Sequence, residues 1–244
     1  MSGILVNEGD PKYPKLEAPY IKLYTLDTPN GVKVSILLEL LKLKYYVRKI
    51  NIASAEQEQK QDWFIELNPN GRIPVLSDVN AQGERTTLME SASILLYLSE
   101  KYDQKHQYSF KHGTKEYYET LQWLFFQMGG IGPMQGQAHH FSFYAKEKIP
   151  YGIQRYVDET KRLYGVLEIA LKKNNTGYLV SDHLSIADIV SFGWVRVGTR
   201  LDIDIAKDFP AVYQWLQAIE KLPEVQRGLT ASAEYNENEI NVRN

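Results

Sequence analysis

The chain has 244 residues, 43% of them hydrophobic, a formal net charge of −2 and no cysteine. That length suits two domains of roughly 100 residues each, while the missing cysteines exclude disulfide scaffolds, thiolate metal sites and any catalytic thiol supplied by the protein. With no basic stripe, no run of about 18 apolar residues and no basic n-region followed by an apolar core, the expectation is a soluble, cytoplasmic protein with neither nucleic acid nor membrane as a partner.

Residues 1–18 hold few apolar side chains and read as a flexible arm. From Ile21 to Leu26 apolar and polar residues alternate as in a strand. Thr28-Pro29-Asn30-Gly31 follows, then apolar positions at helical spacing through Val34, Leu37, Leu38 and Leu41. Thr28 suits the N-cap and Pro29 the first helical position, where a missing N–H costs nothing. Tyr46 to Ile52 is a second strand, parallel to the first across the crossover helix. After the turn cluster Asn68-Pro69-Asn70-Gly71, Ile73 to Leu76 is a third strand, entered through an X-Pro bond. Arg85 to Met89 returns as its hairpin partner. Glu90-Ser91 opens a helix that runs to about Tyr102.

The order βαβ, irregular segment, ββα is that of a thioredoxin-like α/β domain, spanning 19–103. A polar linker covers 104–113. Beyond it helical patterns dominate, over Thr114–Gln127, Tyr151–Lys173, Ser185–Thr199 and Ala211–Lys221, so an all-helical domain is expected over 114–230 with a tail at 231–244.

Three places carry chemistry. At Thr28-Pro29-Asn30-Gly31 a helix N-terminus presents unpaired N–H groups and partial positive charge, which stabilises an anion. In this cysteine-free chain a thiolate there would have to come from a ligand. At Arg72-Ile73-Pro74 the residue before proline is extended, and with a cis bond the Ile73 backbone faces outward, where an extended peptide can pair with it. At Glu90-Ser91 a hydroxyl at a helix start suits a carboxylate and the glutamate suits an ammonium group. Taken singly, each reads as an ordinary cap or edge-strand proline. Leu184-Ser185-Ile186-Ala187-Asp188-Ile189 is a capping box with a hydrophobic staple, a folding signal. His139 and His140 are adjacent and share no helical face, so no metal site is expected. The aromatic, glycine-rich stretch Trp123–Pro133 reads either as a kinked helix or as the wall of an apolar pocket.

The three places occur in the order and spacing of the glutathione-binding domain of the glutathione transferase superfamily. The runs Asn68-Pro69-Asn70-Gly71-Arg72-Ile73-Pro74, Glu90 to Leu98 and Leu121-Gln122-Trp123-Leu124-Phe125-Phe126-Gln127, with Gly132-Pro133-Met134 and Arg155-Tyr156, resemble its nu class. That class includes bacterial glutathione-dependent disulfide-bond oxidoreductases, and the yeast nitrogen-catabolite regulator is a relative. The resemblance extends from about Tyr20 to Leu229. It implies glutathione as co-substrate, with its sulfur held by Thr28 and Asn30 as the catalytic groups. The implied glutathione-binding set is Asn30, Gln59, Arg72, Ile73, Glu90, Ser91 and Arg155. A disulfide or electrophilic small molecule would be the second substrate, and the protein a homodimer. Tyr24 lies in the strand body, before the loop, and reads as packing. The same likeness leaves a second reading open, a regulatory or partner-binding protein on this fold. The short arm, which is not Asn-rich, differs from that of the prion-forming relative.

Overall fold

The computed structural model describes residues 4–243 apart from 13, 14, 54, 56, 234 and 237–240. Its elements are β1 (Leu5–Val6), β2 (Leu16–Glu17), β3 (Tyr20–Thr25), α1 (Gly31–Leu40), β4 (Tyr45–Lys49), α2 (Asp62–Leu67), β5 (Val75–Val79), β6 (Arg85–Met89) and α3 (Ser91–Tyr102). Then come α4 (Lys115–Phe126), α5 (Gly132–His139), α6 (Pro150–Asn174), α7 (Ile186–Val195), α8 (Ile205–Asp208), α9 (Pro210–Glu220), α10 (Pro223–Leu229) and β7 (Val242–Arg243). The chain divides into two compact units, 1–98 together with 223–244, and 99–222.

The first unit is built on a five-stranded sheet of order β6-β5-β3-β4-β7. β3 and β4 are parallel, and β5 runs antiparallel to β3. The thioredoxin-like βαβ–ββα order is therefore present. Side chains alternate between the faces of a strand, so Lys22 and Tyr24 share one face with Arg48, which is registered against Tyr24. On that face Phe64 and Leu67 of α2 pack with Tyr24, Ile50 and Val75 into a buried cluster.

Residues 4–12, expected as part of a flexible arm, belong to the fold. β1 and β2 pair antiparallel, and Leu16 is buried with Tyr20 and Val79. Glu8 and Asp10 are themselves buried. Asp10 accepts from Lys22 at 2.8 Å and from Arg48 Nε at 3.2 Å. Glu8 accepts from the Tyr24 hydroxyl at 3.0 Å, and Arg48 continues to Glu58 at 2.8 Å. The segment is anchored by charge, which leaves no apolar period to read.

The C-terminal end departs from expectation in the same way. α10, expected at the end of the helical domain, groups with the first unit and packs on α1. A Cβ built on Gly228 would lie 2.6 Å from the Ile36 Cα, so only glycine permits this approach. The Gly228 carbonyl accepts from Ser35 at 2.6 Å. Glu39 of α1 is buried and takes hydrogen bonds from Tyr45, Arg227 and Arg243 at 2.9–3.0 Å. Within the expected tail, β7 adds a short strand to β4.

In the second unit α4 runs into α5 through a π-helical turn at Gln127–Ile131, and a second π turn follows at His140–Tyr144. The glycine-rich stretch is thus an irregular but continuous helix. The Ser185–Asp188 capping box is formed. Asp188 is fully buried, and its carboxylate also accepts from the Leu179 N–H and Trp215 Nε1, both at 2.9 Å. Burial pushes its pKa up to about 6 despite these donors. No helix among the described residues is long and apolar enough to cross a membrane.

Candidate functional site

The register of the sheet decides what meets at its end. Tyr24, next to last in β3, pairs with Val75, the first residue of β5, and Val75 pairs with Met89, the last residue of β6. Three chain segments therefore leave the sheet at one end: the loop from Leu26 into α1, the Arg72–Pro74 approach to β5, and Glu90–Ser91 into α3. These are the three segments singled out in the sequence.

At the start of α1 the Thr28 carbonyl accepts from the Val32 N–H at 3.1 Å, and the Thr28 hydroxyl oxygen accepts from the Gly31 N–H at 3.1 Å. Thr28 thus caps by its bonding, although regular helix begins only at Gly31. A Cβ on Gly31 would collide with the Leu26 carbonyl oxygen, which explains the fourth residue of the motif. The loop is tethered from the C-terminal end of the chain: Asp27 N–H donates to Ser232 Oγ at 3.0 Å, and Ser232 N–H returns a bond to Asp27 Oδ1 at 2.9 Å.

Asn30 makes no side-chain cap. Its Oδ1 instead accepts from Lys33 Nζ at 2.9 Å, and Lys33 Nζ also donates to Ser91 Oγ at 3.1 Å. A chain Asn30–Lys33–Ser91 therefore joins two of the three segments. Lys33 was absent from the expected site. Its only sequence signal is the Asn-x-x-Lys spacing, which places both side chains on one face of the first turn, and a lysine between the apolar residues Val32 and Val34. The side chain is fully buried. Burial, partly offset by the Glu90 carboxylate, pushes its pKa down to about 7 from 10.5.

The sign of the linkage follows. Between about pH 7 and 10.5 the folded state binds fewer protons at Lys33 than the unfolded state, so this group makes stability rise with pH across that window. Below it the full cost of burying the ammonium is present. Denaturant unfolding from pH 7 to 10 should show that rise in the wild type and a flatter profile in Lys33→Met; parallel profiles would contradict it.

At the second segment, Asn68 shapes the loop by donating to the Arg72 carbonyl at 2.7 Å and accepting from the Asn70 N–H at 3.0 Å. The Ile73–Pro74 bond is cis. Ile73 is half-buried against the α2 cluster, and among the described residues no hydrogen bond engages its main chain. Arg72 is exposed. Gln59 lies in a 3-10 turn, Glu58–Lys60, whose Gln59 carbonyl sits against Gly71. Its side chain is only 8% exposed, yet Oε1 is buried with no hydrogen-bond partner among the described residues. Buried polar atoms are almost always paired, so this amide is open to a donor that the chain does not supply.

At the third segment, Ser91 was expected as the N-cap but is the first residue of α3. The Glu90 carbonyl accepts the opening bond from the Ile94 N–H at 3.0 Å, and the Ser91 hydroxyl is turned to Lys33. Glu90 is exposed and sits at φ +67°, a left-handed conformation that costs a non-glycine residue free energy. Tyr24 is fully buried with its hydroxyl on Glu8, and burial raises its pKa. It is a packed, neutral phenol.

Arg155 lies on α6 in the second unit, exposed. It lines a cavity of 680 Å³ with Met134, Tyr151, Gln154, Asp158 and Arg162. Arg162 there pairs with Glu159 at 2.7 Å. Among the described residues no cluster of histidine, aspartate and glutamate could hold a metal ion.

Chemically, the end of the sheet offers helix N–H groups, the Thr28 hydroxyl and the Asn30 carboxamide beside a buried cation. An anion would be stabilised there, next to a main-chain edge that can pair with a peptide. Residues 28–101 match the model of the glutathione S-transferase N-terminal domain, and 137–223 that of the C-terminal domain. The chain is 42% identical to the disulfide-bond oxidoreductase YfcG of Escherichia coli (strain K12) over 86% of this chain and 94% of that protein. It is similar to the crystal structure of a glutathione transferase homolog from Lodderomyces elongisporus with two glutathiones per subunit, with TM-score 0.84 and 47% identity, covering 88% of this chain and all of that one. A Pseudomonas putida glutathione transferase with one glutathione disulfide per subunit has TM-score 0.81 and 39% identity, covering 92% of this chain and 97% of that one. This chain belongs to the glutathione transferase family.

Proposed function

We propose that the protein is a glutathione-dependent disulfide oxidoreductase. Glutathione lies extended, its cysteinyl backbone paired with Ile73 and its γ-glutamyl head at Glu90 and Ser91. Its sulfur sits at the N-terminus of α1, near Thr28 and Asn30. Gln59 and Arg72 complete the binding surface, with the unpartnered Gln59 Oε1 accepting an N–H of the peptide. The observation that carries this reading is the Asn30–Lys33–Ser91 chain at a helix start in a protein without cysteine. It joins the sulfur end and the head-group end of one extended ligand.

The helix N-terminus and the two donors lower the thiol pKa, so the nucleophile is a thiolate near neutral pH. The thiolate attacks one sulfur of a disulfide, a new S–S bond forms to glutathione, and the other sulfur leaves as a thiolate that takes a proton from water. A second glutathione thiolate then attacks the glutathione sulfur of the mixed disulfide, forming glutathione disulfide, and the substrate's remaining sulfur leaves as a thiolate that takes a proton from water. On the family resemblance alone, we assign Arg155 to a ligand carboxylate. The same thiolate would also attack an electrophilic carbon or a peroxide. We assign the protein to the cytoplasm and to a homodimer on the family pattern.

The names of the relatives support this choice: one is a disulfide-bond oxidoreductase, and one structure holds glutathione disulfide. Steady-state assays with glutathione and, in turn, hydroxyethyl disulfide, an aryl halide and a hydroperoxide test it. The disulfide should give the highest kcat/KM. A preference for the aryl halide would make the protein a conjugating transferase, and turnover of none of the three would overturn the reading.

A further inference from the structure

We infer that Lys33 is a positioning residue that acts through Asn30, fixing the orientation of its carboxamide so that the amide nitrogen faces the glutathione sulfur. The inference rests on the function proposed above.

An asparagine amide can present either end to its surroundings, one an acceptor and the other a pair of donors. A thiolate accepts hydrogen bonds only, so the oxygen end facing it would repel. Which end faces the ligand is decided by what holds the other. Here Lys33 Nζ donates to Asn30 Oδ1 at 2.9 Å. While Nζ donates to Oδ1, the carboxamide holds one orientation, with Nδ2 on the far side from Lys33. The side chain of Lys33 is itself pinned, since Nζ also donates to Ser91 Oγ at 3.1 Å and the whole residue is buried. The α1 backbone fixes the three-residue spacing, and the α3 start fixes the other end.

An ordinary buried core position in α1 would hold an apolar residue, as its neighbours Val32, Val34 and Ile36 do. Burying an ammonium there opposes stability. A group that costs stability and contacts two site residues is best explained by its effect on them. The lowered pKa of Lys33 is consistent with that cost. Glu90, the carboxylate that partly offsets it, stands at the head-group end of the same site.

The test is a double-mutant cycle in the full-length chain, read as kcat/KM for glutathione-dependent reduction of hydroxyethyl disulfide. Lys33→Met should lower kcat/KM about tenfold. In an Asn30→Ala background the same change should cost less than about twofold, because the carboxamide that Lys33 orients is gone. Thermal melting of Lys33→Met should occur at or above the wild-type temperature, so the loss cannot be assigned to a damaged fold. Lys33→Gln, run through the same cycle, covers the case in which the methionine variant fails to fold. Losses that multiply in the double variant, or wild-type turnover in Lys33→Met, would overturn the role of Lys33 and leave the proposed function standing. A wild-type protein that does not turn over the disulfide would overturn the proposed function and this role with it.

Discussion

Replacing Asn30 with alanine is expected to lower kcat for glutathione-dependent disulfide reduction about a hundredfold or more, while the KM for glutathione changes little. The reason lies in where charge resides. Attack on a disulfide requires the thiolate, and the anion is stabilised by donors aimed at the sulfur position. The chain offers no cysteine, and Tyr24 is committed to Glu8 behind the sheet. The task falls on Thr28, Asn30 and the helix start. Thr28 already uses its hydroxyl oxygen to accept from the Gly31 N–H, and its one O–H is the donor it has for the sulfur. Asn30 supplies the amide donor. Binding of the peptide, by contrast, is spread over Ile73, Gln59, Glu90 and Ser91, none of which Asn30→Ala removes. Steady-state kinetics with hydroxyethyl disulfide separate the two parameters; unchanged kcat would take Asn30 out of the chemistry.

The second large effect concerns stability. Asp10→Ala is expected to destabilise the protein by about 3–5 kcal/mol, the range for removing one partner of a buried ion pair. Asp10 accepts from both Lys22 and Arg48, and all three side chains are fully buried. Loss of the carboxylate leaves two cations beneath α2 with only Glu8, 3.6 Å from Lys22, and Glu58 to balance them. Burial alone would raise the Asp10 pKa, but Lys22 and Arg48 hold it below the ordinary value of 3.8. A depressed folded pKa means that this contribution is present above about pH 4 and is lost as the pH falls below it. Denaturant unfolding at pH 7 measures the loss, and the difference between wild type and variant should shrink toward pH 3. A variant as stable as the wild type at pH 7 would show that the arm is dispensable.

Legibility in the sequence followed the kind of force involved. β3 and α1 were readable because apolar side chains repeat at strand and helix periods, and the three site segments because Thr28-Pro29, Arg72-Ile73-Pro74 and Glu90-Ser91 have local turn and cap chemistry. The arm was not readable. Glu8 and Asp10 look like solvated residues, and only the distant Lys22 and Arg48 make them core. β7 and the Ser232 tether to Asp27 were missed for the same reason, since their partners lie about two hundred residues away in sequence. Ser91 has the residue type of a cap, but its hydroxyl oxygen accepts from Lys33. Lys33 gives no apolar signal, and lysines are seldom buried. Its place among valines and isoleucines, three residues after an asparagine, was the available clue.

The account turns on a glutathione thiol held as a thiolate at the start of α1. The direct measurement is a pH titration of the thiolate ultraviolet band of glutathione bound to the full-length protein, against glutathione free in the same buffer. The thiol of bound glutathione should ionise near neutrality, one or more units below the ordinary thiol value of about 8.5, and the shift should diminish in Asn30→Ala. Bound glutathione that ionises at the same pH as free glutathione would contradict the account.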